Sequence, residues 1–213
     1  MAIQLQGDAR LIASQIGDPY LQATTALYLA RVHLAGGDPR SAVALFEEAI
    51  GVADATGDTE PGVQARSGLA RAQLQAGTPA AALSLTGAAR QMNYPTEQAT
   101  LWLLEGIALL AMGRAGARDA FGQALQAADT LLALADANVA ALDARALACC
   151  GLVLTGDPAR AAQAAQTFAR ARTVTSAAGV VAEVAALFAV LASGDHADAL
   201  APYRDGLQQV LGH

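Results

Sequence analysis

Four glycines set the length of everything this chain can build. Gly17, Gly37, Gly57 and Gly77 fall at a strict spacing of twenty, and Asp18, Asp38, Asp58 and Thr78 follow them in turn. Gly156-Asp157 and Gly194-Asp195 repeat the signal downstream. Glycine is the usual residue just past a helix end, where the backbone turns left-handed. Asp or Thr beside it is a good N-cap for the next helix. Pro19, Pro39, Pro79 and Pro158 come next, at the first helical position that proline favours. Each such unit reads as stop, cap, start. The spacing predicts helices over 4–16, 19–35, 39–55, 60–76, 79–91, 96–112, 115–134, 138–154, 158–173, 179–192 and 197–211. Short connections make chain neighbours antiparallel.

Composition agrees with many short helices in close contact. Alanine supplies roughly a quarter of the 213 residues and aromatics 4%, an unusual balance for a globular domain. Alanine is the best helix former and lets helix axes approach closely. No alternating β-branched run supports a sheet. The expectation is an all-α chain read as one array over 1–213.

The same composition excludes several function classes. The thirteen basic residues are all Arg, spread along a chain of net charge −6. A nucleic-acid surface needs a clustered basic face, so no nucleic-acid partner is expected. Mean hydropathy is +0.33. The most apolar stretches, 99–112 and 180–193, are nonetheless too short to span a bilayer and carry Glu105 and Glu183. No membrane partner and no secretory leader are expected, and a cytoplasmic location follows. Cys149 and Cys150 are adjacent on a helix and read as two buried thiols.

The repeat has a residue pattern as well as punctuation. Counting from Ala23, Leu29-Ala30 lie in a first helix and Ala42, Phe46 and Ala49 in a second. Counting from Val63, the series is Leu69-Ala70, then Ala82, Thr86 and Ala89, with Thr86 where a large residue is expected. Next come Trp102 and Gly106, then Ala117, Phe121 and Ala124. A fourth shows Ala161 and Ala165, with Phe168 at a small-residue position, and a fifth shows Ala199, Tyr203 and Gly206. This small–large–small series resembles the tetratricopeptide repeat (TPR) family. The resemblance implies a right-handed α-solenoid of antiparallel helix pairs, about five repeats plus a leading helix. It departs from the family in its period of about 36–43 residues where the family's is about 34, and in Pro202, which would kink the last helix. Residues 195–213 would then form a capping segment.

Residues 1–17 resemble the second helix of a repeat whose first helix is missing. Ile3, Leu5, Leu11, Ile12 and Ile16 would face an open end, whereas solenoids protect their ends with polar caps. The expectation is a piece of a longer protein, or self-association through this end. The long period, Ala/Arg richness and open end also resemble the C-terminal arrays of bacterial STAND-class signalling NTPases. That resemblance implies a sensing or regulatory arm of a larger protein.

The residues of catalysis are not found in working patterns. No GxxxxGK loop, GxGxxG, HExxH or GxSxG occurs. His33, His196 and His213 are isolated. His33 reads as a hydrogen-bonded, partly buried side chain, the other two as solvated. Glu47-Glu48 diverge on a helix and cannot converge on one bond. Glu105 reads as a structural carboxylate. No enzyme activity, no cofactor and no metal site are expected.

The TPR resemblance implies a concave groove lined by the first helix of each pair. Its groove positions fall on Thr24, Leu27, Arg31, Gln64, Ser67, Arg71 and Gln75. Arg31 and Arg71 are equivalent: two guanidiniums side by side could grip a carboxylate through bidentate bonds, or lie over neighbouring helices and pair with carboxylates of this chain. Later positions fall on Leu103, Ile107, Leu110, Cys150, Val153, Val184, Phe188 and Leu191, which read either as an apolar half of the groove or as buried core. The implied partner is a protein or peptide segment with an acidic end. The chain lacks the Lys/Asn clamp of chaperone-binding members, so chaperone tails are not expected.

Overall fold

The turns take the backbone conformation that glycine permits. In the computed structural model, which describes residues 2–193 and Leu200, Gly17, Gly37, Gly57 and Gly77 have φ of 74°, 78°, 75° and 74°. That left-handed conformation is costly for residues with a Cβ. The Asp18 carboxylate accepts the Leu21 amide and the Asp38 carboxylate accepts the Ser41 amide, both at 3.2 Å. Pro19, Pro39 and Pro79 open their helices.

Three expected caps, Asp58, Thr78 and Asp157, differ. Asp58 makes no side-chain cap and instead accepts the Thr56 hydroxyl at 2.6 Å. Thr78 donates its hydroxyl back to the Gln73 carbonyl at 2.9 Å, so it closes the previous helix rather than opening the next. Pro158 lies in the turn before its helix, which begins at Arg160.

Ten α-helices result among the described residues, with no strand: α1 (Ala2–Ile16), α2 (Pro19–Ala35), α3 (Pro39–Thr56), α4 (Thr59–Gln75), α5 (Pro79–Gln91), α6 (Gln98–Ala111), α7 (Ala117–Leu134), α8 (Val139–Leu154), α9 (Arg160–Val174) and α10 (Ala178–Leu191). A short 3-10 turn, Pro95–Glu97, precedes α6. The expected helix over 197–211, its residues Ala199, Pro202, Tyr203 and Gly206, and His196 and His213 lie outside the described residues, as does the Ile3 side chain. So does the expected capping segment 195–213, apart from Leu200.

The chain divides into two compact units, Met1–Glu97 and Gln98–His213, where the repeat pattern alone reads as one array. In the first, α1 packs on α2, α2 pairs with α3, α3 packs on α4, α4 pairs with α5, and α2 and α4 lie side by side. In the second, α6 pairs with α7, α7 packs on α8, α8 pairs with α9, α6 and α8 lie side by side, and α10 rests on α8 and α6. Helices packed on their successive neighbours in this way are the arrangement of an α-helical repeat.

Phenylalanine rings and glycines lock these layers. Phe46 of α3 is fully buried against Gly68 of α4, where an added Cβ would stand 2.3 Å from the ring. Phe121 of α7 is held between Gly106 of α6 and Gly151 of α8, where a Cβ would stand 2.7 and 2.5 Å away. Ala42–Phe46–Ala49, Ala82–Thr86–Ala89 and Ala117–Phe121–Ala124 are all buried. The fourth triad is corrected. It is Ala164–Phe168–Ala171, all buried, while Ala165 is exposed. Phe168 therefore occupies the large position, because α9 starts two residues after Pro158 and the count shifts by three.

Candidate functional site

The groove positions of the first unit come from α2 and α4, which lie side by side. Arg31 and Gln75 are exposed, and Thr24, Gln64 and Arg71 are partly covered. Gln64 donates to Glu60, one turn earlier, at 3.3 Å. Leu27 and Ser67 are different. They are 1% and 3% exposed, and Leu27 belongs to the core shared by α2, α3 and α4. They support the row from beneath and present no surface. Arg31 and Arg71, forty residues apart, occupy equivalent places on adjacent helices, one outward and one half-covered.

The expected apolar half is core. Leu103, Ile107, Cys150, Val184, Phe188 and Leu191 are all buried, at 6% exposure or less, and Leu110 and Val153 are partly covered. Helix α6 packs with α7 and α8, α8 packs also with α7 and α9, and α10 rests on both; these positions are covered within that packing.

Several arginines hold helices to one another. Arg10 of α1 grips Glu48 of α3 through Nε at 3.2 Å and Nη2 at 2.6 Å. Arg66 of α4 takes both oxygens of Asp54 on α3 at 2.8 and 2.6 Å. In the second unit Arg145 of α8 bonds Asp129 of α7 and the Thr167 hydroxyl of α9. Arg172 of α9 meets Asp143 of α8 at 2.6 and 2.7 Å, with both side chains more than nine-tenths covered. Arg10 offers two parallel donors to one carboxylate, whereas Arg66 and Arg172 each set a single Nη2 against both oxygens. The sequence showed these Arg only as scattered. Their partners lie 12 to 38 residues away, beyond any local pattern.

The groups with most chemical potential are withdrawn from solvent or engaged in capping. Cys149 and Cys150 are free and buried. Burial pushes the Cys150 thiol up to about 12. It raises Cys149 too, against the pull of Arg145 and Arg160. Thiols so raised stay protonated at neutral pH and are poor nucleophiles. His33 Nδ1 lies 3.2 Å from Asp38, a local contact at the end of α2. No group of three His, Cys, Asp or Glu side chains among the described residues is placed to hold a metal ion. No helix among them is long and apolar enough to cross a membrane.

No family model matches the chain, and no curated protein matches it.

Proposed function

We propose that this chain is a non-catalytic interaction module of TPR-like character, a right-handed solenoid of about five repeats, that binds a protein or peptide segment with an acidic end across α2 and α4. The observation that carries the reading is the row Arg31, Gln64, Arg71 and Gln75, beside which the Thr24 hydroxyl is enclosed. Two adjacent helices present polar hydrogen-bonding side chains at equivalent positions, with Leu27 and Ser67 rigidly packed behind them. A row of donors on a rigid scaffold suits an extended peptide, whose carboxylates accept from guanidinium and amide groups. The binding surface lies in the first unit, and the second contributes no apolar groove from α6, α8 and α10.

The test uses arrayed acidic and neutral peptides of equal length, probed with the native chain and with an Arg31→Glu, Arg71→Glu variant. Acidic peptides are expected to be retained by the native chain and lost by the variant, with unchanged circular dichroism. Retention without preference for acidic residues, or equal retention by the variant, would remove the row as the site.

A further inference from the structure

The forty-residue correspondence within the first unit extends to α1 and shows what its outer face is built to meet. Gly17 matches Gly57 in both position and φ. Ala13 matches Ala53, and both are 2% exposed. On that register Leu5, Ala9 and Ile12 of α1 correspond to Leu45, Ala49 and Val52 of α3. The burial is very different. Leu45 and Ala49 are 9% and 0% exposed, in one apolar core with Ala26, Leu29 and Ala30 of α2. Leu5 and Ile12 are 61% and 54% exposed, and Ile16, one turn further along the same stripe, is 63% exposed.

Leu5, Ala9, Ile12 and Ile16 follow one another at spacings of four, three and four, which places them on one face of the helix. No charge interrupts the stripe. Arg10, the basic residue of α1, is drawn toward α3 by Glu48. Contiguous apolar surface of this kind is rarely left to water.

We propose that this stripe is a docking site for a helix of α2's character: amphipathic, with alanines central on its apolar face and leucines beside them. The counterpart face on α3 shows the fit. Ala26 and Ala30 let α2 approach closely while Leu45 is enclosed. A second copy's α1 carries a single alanine, Ala9, in the same stripe and lacks the paired alanines of α2. The inference does not depend on the Arg31–Arg71 row.

The experiment uses the full chain and a fluorescein-labelled synthetic peptide of residues 19–35, which carries the α2 face. Fluorescence anisotropy is expected to show saturable binding, with a gain in helical circular dichroism on mixing. An Ile12→Arg substitution, at an exposed position, is expected to weaken binding at least about tenfold while leaving the thermal melt of the chain unchanged. Absence of binding, or equal binding to native and variant chains, overturns the proposal. So does light scattering that finds the native chain dimeric and the Ile12→Arg chain monomeric, which would assign the stripe to a second copy.

Discussion

At the scale of single residues, Thr24 presents an unusual polar arrangement. Its hydroxyl is enclosed and meets no hydrogen-bond partner among the described residues. A buried hydroxyl without a partner is destabilising by about 1–3 kcal/mol. Thr24→Val keeps the shape and removes the hydroxyl, so it is expected to leave stability unchanged or raise it by about 1 kcal/mol in urea melts. A loss above about 1 kcal/mol would show that the hydroxyl is bonded in solution. Asp38 offers a second residue-scale outcome. Hydrogen bonding from Ser41, side chain first and then amide, aided by the nearby His33, holds the Asp38 carboxyl below the ordinary carboxylate value. A lowered carboxyl stabilises the fold above the unfolded pKa, and the benefit is lost as pH falls through the folded value. The melting-temperature gap between the native chain and Asp38→Asn is therefore expected to be full at pH 6 and to shrink below about pH 4. A gap that stays constant to pH 2 would show that the cap carries no charge dependence.

At the scale of elements, the fit of ring into glycine decides how closely helices stack. Phe46→Ala is expected to destabilise the chain by about 3–5 kcal/mol, as buried Phe truncations do. Gly68→Ala is expected to lose about 1–3 kcal/mol because its Cβ would collide with the Phe46 ring. Adding Phe46→Leu to Gly68→Ala should then lose less than the sum of the two single changes. Strict additivity in urea melts would mean that ring and glycine do not meet. These elements were largely legible in the sequence. Nine of the glycine-punctuated helices lie within three residues of their expected bounds, and α1 within the same margin, because a helix end is a local matter of φ, capping and proline. The fourth triad was misplaced because the count started from Pro158 as a helix residue. The groove was less legible still. Whether Leu103 or Cys150 faces solvent depends on how α6 and α8 pack with their neighbours, tertiary contacts that leave no mark in the spacing of either helix. Leu27 and Ser67 fall on the groove face by periodicity yet are covered for the same reason: periodicity gives a face, and the neighbouring helices decide whether it is covered.

At the scale of the whole molecule, stability in each unit is a chain of neighbour interactions rather than a single centre. Such a construction opens most readily where a helix has fewest neighbours. In the first unit α1 packs on α2, whereas α3 and α4 are packed on both sides. Amide hydrogen exchange followed by mass spectrometry is expected to be faster throughout α1 than in α3 and α4. In the second unit, Phe121→Ala is expected to raise exchange in α6, α7 and α8 together, since one ring serves all three. Uniform protection across α1, α3 and α4, or a response to Phe121→Ala confined to α7, would contradict this picture.

The nearly identical turns at Gly17 and Gly57 make the first unit a cassette. Removing residues 18–57 would splice Gly17 onto Asp58, leaving the left-handed turn as it was and delivering α1 to α4 in place of α2. Duplicating the same stretch would lengthen the chain without inventing a new bend. Changes of length in steps of forty can therefore be absorbed by the backbone, while any other step would have to rebuild a turn, rotate a helix about its axis and point its alanines at the wrong neighbour.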